Sequence, residues 1–330
     1  MKYNIIPRTK LKVSELCLGT WQFSNDSNFN VDRADSKRII REAIELGINF
    51  FDTGESYGKG LSEEILGEAL QGVNKEIVIS TKVREYNLDS KSLVNSIELS
   101  LKRLKREYID IYHVHWPTKQ VPFIETFETM KKLQVEGKIR YIGVSNFAVD
   151  ELKEACDITD IVTIQNPYSV LWRCNEQDTH KFCKEHEIGI LAYSPLAQGL
   201  LTERFQKKLL QNLKPSQQEN VLYQENLRKI ILNILKKLEV ISKNSAINMS
   251  QLAISWLLNK PEVVSTIIGV TTIEQLRANI DTVNLELSEE LMNKTNDISD
   301  ILINYINDDY KRSMWNWWPD KDREGVVKRC

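Results

Sequence analysis

Eight short apolar runs, separated by helix-period segments, limit what this 330-residue chain can fold into. They lie at 16–19, 48–52, 77–83, 109–115, 139–144, 161–165, 188–193 and 264–269. Amphipathic stretches such as Asp35–Leu46, Ser62–Leu70, Ser90–Leu104, Ile124–Val135 and Glu176–Glu187 stand between them. Adjacent parallel strands need a crossover of a dozen or more residues, usually a helix. Eight such units suit an α/β chain closed into a (β/α)8 TIM barrel, and the whole length is needed to make it. A doubly wound open sheet is the alternative. It normally carries a glycine-rich turn after its first strand, and GxGxxG is absent here.

This register predicts a single domain over 1–330, with 1–15 as a lead-in and 301–330 as a tail over the barrel mouth. Gly47, Gly137 and Gly189 follow helical segments, as helix C-termini favour. Asn146 or Asp150 can cap the helix before Cys156. Segment 199–223 breaks the rhythm. It is rich in Gln, Lys and Asn, contains Pro215, and predicts a lid loop after the seventh strand. In the tail, Trp315, Trp317 and Trp318 suit three roles: packing the rim, enclosing a substrate pocket, or binding a partner. The pocket reading is preferred, with Trp21 and Trp116 as further walls.

Composition narrows the function classes. The net charge of −2 and charged share of 27% lack the basic excess that nucleic acid or an anionic membrane surface demands. No run reaches the ~18 apolar residues of a membrane span. The start is interrupted by Pro7 and has no secretory pattern. Cys17, Cys156, Cys174, Cys183 and Cys330 are scattered, which predicts a reduced, cytoplasmic protein without zinc or a disulfide framework. A homo-oligomer stays open.

The chemistry concentrates at strand ends. The second run ends in Asp52, with Tyr57 just beyond; the third ends in Lys82 and the fourth in His115. In a barrel of this kind reactive residues sit at the C-terminal ends of the strands, so all four converge on one mouth. A tyrosine is a poor acid at neutral pH, with an ordinary pKa of about 10. A lysine ammonium beside it lowers that value, Asp52 can hold the lysine charged, and His115 can hydrogen-bond a carbonyl oxygen. Each residue alone also has a structural reading: a helix cap, a solvated strand end, a loop anchor, a satisfied histidine. His113, two residues before His115, faces the same side but deeper, and is read as a core histidine.

These residues resemble the aldo-keto reductase signature. The resemblance rests on Asp52, the Tyr57-Gly58 loop with Leu61-Ser62-Glu63, Lys82 and His115-Trp116-Pro117. It extends through Leu18-Gly19-Thr20-Trp21, Gly143-Val144-Ser145-Asn146-Phe147, Gln165-Asn166-Pro167-Tyr168, Tyr193-Ser194-Pro195-Leu196 and Gly269 through Asn279. It is closer to the potassium-channel β-subunit-like and bacterial branch than to the aldose reductase branch. The resemblance implies an NADP(H)-dependent oxidoreductase, with NAD(H) as the other candidate, acting on a small carbonyl or sugar-like substrate. It makes Tyr57 the general acid, tuned by Lys82 and Asp52, with His115 orienting the carbonyl. Ser145, Asn146 and Gln165 would bind the nicotinamide amide, and Tyr193 would stack on its ring. Thr20 and Trp21 would line the site near Asp52. Ser194, Leu196, Gly199 and Arg204 would approach the phosphates, and Gly269, Thr271, Gln275 and Asn279 the adenosine end. Ala278 and Glu203 depart from the family pattern, which has Glu and Gly there. Arg204 and Arg277 favour NADP, and no acidic residue is evidently placed for a ribose 2′-hydroxyl. Rival functions are a polyol dehydrogenase working oxidatively, a cofactor-sensing regulatory subunit, and a metal-dependent barrel hydrolase.

Overall fold

The structure is a computed structural model that describes residues 1–25, 29–203, 205, 212–306 and 314–315. β1 (Tyr3–Ile5) and β2 (Lys12–Ser14) pair antiparallel. The following strands are β3 (Leu16–Gly19), β4 (Phe50–Asp52), β5 (Val78–Val83), β6 (Ile109–Val114), β7 (Ile139–Ser145), β8 (Ile161–Pro167), β9 (Gly189–Tyr193) and β10 (Val263–Gly269). They are parallel and close in sequence order, β10 pairing with both β9 and β3. Every one of the eight apolar runs is a barrel strand.

Alternation along the strands sorts side chains into two sets. Leu16, Leu18, Phe51, Ile79, Tyr112 and Val114 point outward and pack under the helices. Cys17, Phe50, Val78, Ile111, Val162 and Leu191 form a separate apolar layer, closed from below by Ile6, Leu11 and Val13. The β1–β2 hairpin is therefore a plug in the barrel floor, a role the sequence hid because three-residue strands carry too little periodicity to detect. Above this floor the interior turns polar. Asp52, Ser80, Lys82 and His113 are all buried.

Two terminus expectations are corrected. The helix Val149–Ile158 starts after Ala148, and the Glu151 carboxylate accepts the Ala148 N–H at 2.9 Å. Asp150 lies inside the first turn, and Asn146 is withheld as a cap because its left-handed backbone (φ 62) sends it into the site. Gly189 opens β9 rather than ending a helix; Glu187 supplies the left-handed residue, with φ 53. Among the described residues no helix is long and apolar enough to cross a membrane.

One glycine sets the interior spacing. A Cβ on Gly143 of β7 would stand 2.5 Å from the His113 ring and 2.6 Å from Thr163 Oγ1. Gly143→Ala is expected to cost about 1–3 kcal/mol through overpacking, read as a lower urea midpoint with an unchanged slope. Wild-type stability would show that the interior can yield.

Candidate active site

The buried carboxylate of Asp52 organises the mouth. Oδ1 accepts from Lys82 Nζ at 2.6 Å, and Oδ2 accepts from Ser80 Oγ at 2.9 Å and from Gln165 Nε2 at 2.8 Å. Lys82 also donates to the Thr53 carbonyl at 2.6 Å and to Tyr57 Oη at 3.3 Å. Burial pulls the Lys82 ammonium downward, but the Asp52 carboxylate and Tyr57 more than offset it, so the lysine stays charged. Burial pushes the Tyr57 hydroxyl up, against the pull of Lys82. The lysine thus opposes a rise rather than producing a net fall.

The motif after β4 is the clamp that brings Tyr57 back to Lys82. Gly58, Lys59 and Gly60 follow it with φ of 60, 56 and 94, a reversal into the helix Leu61–Ala69. A Cβ on Gly58 would lie 2.2 Å from the Ser24 carbonyl oxygen, so only glycine fits. Ser62 Oγ donates to the Thr20 carbonyl at 2.8 Å and lies 2.6 Å from Thr20 Oγ1. Glu63, fully buried, accepts from Thr81 Oγ1 at 2.6 Å and pairs with Arg103 at 2.8 Å. Leu61-Ser62-Glu63 is thus a scaffold for Tyr57.

The two histidines divide as expected from their depth. His113 lies between Ser80 Oγ (3.1 Å from Nδ1) and Thr163 Oγ1 (3.0 Å from Nε2), and burial lowers it to about 3. His115 has Nδ1 3.4 Å from Ser56 Oγ, and its Nε2 has no hydrogen bond among the described residues. Burial, then the Lys82 charge, holds it well below the ordinary range. Its ring lies 5.9 Å from that of Tyr57.

These groups open on a cleft of about 1070 Å³. One end is aromatic: Trp21 meets Phe29 at 5.0 Å and Trp315 at 6.1 Å, both edge-on, and Trp116 lies beside His115. Trp315 reaches the mouth because the tail pairs with the segment after the lid, where Val221 N–H donates to the Met314 carbonyl at 2.8 Å. Trp317, Trp318 and Arg204 lie outside the described residues. The other end of the cleft is polar. It is lined by Ser145, Asn146, Gln165 and Tyr193, then by Ser194, Leu196 and Gly199, and finally by Gly269, Thr271, Gln275 and Asn279. Thr20 and Trp21 line it near Asp52.

Local structure explains this placement. Ser194, Ala197, Gln198 and Gly199 all have positive φ, a succession that turns the chain tightly beneath the cleft, with Ala197 N–H donating to the Ser194 carbonyl and Gly199 N–H to the Leu196 carbonyl, both at 2.9 Å. Asn146 gives Nδ2 to the His115 carbonyl at 3.0 Å and accepts the Tyr193 hydroxyl at 2.7 Å, so it fixes the Tyr193 ring. Gln275 Oε1 accepts from Thr271 N–H at 2.9 Å. Glu203 accepts from both Ser250 N–H (2.8 Å) and Ser250 Oγ (2.9 Å), tying the lid to the helix Met249–Leu258 where a family glycine could not.

Two sequence readings change. Arg277 is not free for a phosphate, since both Nε and Nη2 donate to Glu42 at 3.0 and 2.7 Å. Acidic residues do line the polar part of the cleft, Glu274 beside Gln275 among them. Sequence reasoning also missed Phe29, Ser56, Glu85 and Tyr86 as lining residues. For Glu85 and Tyr86 the available signal was position, because the residues just past a barrel strand lie at the mouth.

Residues 15–300 match the Aldo/keto reductase family. The chain is also 33% identical over 322 residues to the aldo-keto reductase YhdN of Bacillus subtilis (strain 168), covering 93% of this chain and 96% of that one. The chain belongs to the aldo/keto reductase family. Solved structures of the family superpose closely. A glycerol dehydrogenase from Gluconobacter oxydans has a TM-score of 0.80 at 27% identity, covering 90% of this chain and 94% of its own. An aldo-keto reductase from Klebsiella pneumoniae in complex with NADPH has a TM-score of 0.74 at 26% identity, covering 91% and 95%. Among the described residues of this family member, no three His, Cys, Asp or Glu side chains group as metal ligands.

Because His113 and His115 are both held below their ordinary value, neither imidazole should titrate between pH 5 and 8. Two-dimensional NMR of the ring Cε1–H groups checks this. Flat His113 and His115 shifts are expected, and a midpoint near 6.5 for either would contradict its environment.

Proposed function

We propose that this aldo/keto reductase reduces an aldehyde or ketone to an alcohol with NADP(H), Tyr57 serving as general acid. The observation that carries this reading is the Tyr57 hydroxyl 3.3 Å from a charged, fully buried Lys82, beside a neutral His115 at the mouth of a cleft. The cleft has room for a dinucleotide, and its donor-rich half suits a diphosphate without a Rossmann turn. When bound, the cofactor supplies a hydride. Tyr193, Ser145, Asn146 and Gln165 would hold the nicotinamide; Gln165 Nε2 is committed to Asp52 and Asn146 Nδ2 to His115 and Ser145, so both would meet the amide as acceptors. Ser194, Leu196, Gly199 and Arg204 hold the phosphates, and Gly269, Thr271, Gln275 and Asn279 the adenosine.

The protein's own part is proton transfer at the carbonyl oxygen. Its raised pKa keeps Tyr57 protonated at neutral pH, ready to donate. Lys82 stabilises the phenolate left behind, and Asp52 keeps Lys82 charged and aimed. His115, neutral, donates a hydrogen bond to the same oxygen from its cavity-side nitrogen. The reverse reaction, oxidation of a polyol, would need Tyr57 as phenolate, so its protonated ground state favours reduction. Strand ends from β3 to β10 and Trp315 all contribute to the cleft, which supports the reading of 1–330 as a single domain. The free Cys17, Cys156 and Cys183 suit a cytoplasmic setting.

Tyr57→Phe should retain NADPH binding and lose ~10²–10⁴-fold in kcat. A folded variant with wild-type kcat would remove Tyr57 from the acid role. For the cofactor, NADPH should bind more tightly than NADH, with Arg204→Ala weakening NADPH by up to ~1.5–3 kcal/mol. Fluorescence titration decides. Equal affinities for the two cofactors would mean that the 2′-phosphate is not recognised, with Glu274 then the natural partner of a free ribose hydroxyl.

A further inference from the structure

The cleft contains a buried acid that carbonyl reduction does not use. Glu85 lies three residues beyond Lys82, where β5 has passed into a short 3-10 turn, Glu85–Asn87. It is 8% exposed and lines the same cleft as Tyr57, His115 and Trp116. Among the described residues its carboxylate has no side-chain hydrogen-bond partner. The nearby ionic groups give it no hydrogen bond, although the Arg84 charge favours its ionised form. Glu55 accepts from Arg84 N–H at 2.8 Å and Asn87 Nδ2 at 3.1 Å, while the Arg84 guanidinium lies over the Tyr86 ring at 5.1 Å. Burial pushes the Glu85 carboxyl up, with its own backbone N–H and the Arg84 charge opposing the rise and the Glu55 charge adding to it.

A buried carboxyl without partners is costly and is normally satisfied by something. Here the open side is the substrate end of the cleft. A carboxylate accepts hydrogen bonds and cannot donate them, so its partner must carry O–H or N–H groups. The surrounding walls, Trp21, Trp116 and Trp315, offer flat apolar faces to carbon-bound hydrogens. A short carbon chain with hydroxyl groups satisfies both features. An anionic substrate would set like charges together in a partly dry site.

We propose that Glu85 is a specificity-determining residue that accepts a hydrogen bond from a substrate hydroxyl, so that the site selects hydroxylated, uncharged aldehydes and ketones of the sugar type. The proposal rests on the reading of the cleft as a carbonyl-reducing site. A site built to hydrogen-bond a hydroxyl rejects the analogue that lacks it far more strongly than one that merely has room for it.

The test compares glyceraldehyde, propanal and succinate semialdehyde in NADPH-dependent kinetics of the full chain, for wild type, Glu85→Gln and Glu85→Ala. Wild type should favour glyceraldehyde over propanal in kcat/KM by about ten- to hundred-fold, the scale of a hydrogen bond to a charged group. Succinate semialdehyde should be the poorest of the three. Glu85→Ala should bring the glyceraldehyde-to-propanal ratio to within about three-fold of one. Glu85→Gln, which keeps an accepting oxygen, should fall between. NADPH affinity and the circular dichroism spectrum should stay as in wild type, and Glu85→Gln carries the test if Glu85→Ala unfolds. A second readout is independent of turnover: glycerol should quench tryptophan fluorescence of the NADP+ complex at lower concentration than 1-propanol, and Glu85→Gln should narrow that gap. If no carbonyl is reduced, the reductase reading fails, and the glycerol comparison alone decides Glu85. Preference for propanal or succinate semialdehyde, or a ratio untouched by both substitutions, overturns the proposal.

Discussion

The site depends on one buried ion pair, Lys82 with Asp52, whose side chains are 0% and 4% exposed. Such a pair is a poor source of stability, because stripping two charges of water offsets most of their attraction. What it does here is geometric. Asp52 takes three donors, from β5 twice and from β8 once, so the carboxylate joins strands on both sides of the barrel. With those bonds filled, Lys82 has one direction left in which to act, toward Tyr57.

The rest of the mouth follows from holding that direction. Tyr57 sits on a loop, which alone would be a loose platform for chemistry. Three left-handed residues turn the chain at once into a helix, and Ser62 and Glu63 lock that helix to Thr20, Thr81 and Arg103. Asn146 plays the matching part across the cleft, spending its amide on His115 and Tyr193 so that the wall of the cleft and the ring above it move together. The tail completes the enclosure by pairing Met314–Trp315 against Asn220–Val221.

Much of this was legible in the sequence, for a physical reason. Barrel strands buried on both faces leave compact β-branched runs, and a residue ending such a run must lie at the mouth. That logic reached Asp52, Lys82 and His115 directly, and Tyr57 through its loop. It failed where position is set by partners distant in sequence. Nothing near Arg277 announces that Glu42 occupies it, and nothing near Ser250 announces Glu203. The β1–β2 plug was invisible because its strands are three residues long. Glu85 was passed over because a charged residue after a strand ordinarily faces solvent, and its burial depends on the whole rim.

The most direct test of the account is the fate of the hydride. NADPH carrying deuterium at C4 on one face or the other should be incubated with the protein and an aldehyde in ordinary water, and the alcohol examined by mass spectrometry and NMR. The account predicts that deuterium from only one of the two faces reaches the carbinol carbon, with a slower single turnover for that form, because the fixed Tyr193 ring exposes a single face. Alcohol formed without deuterium from either form, or oxidation of neither, would contradict hydride transfer at this site.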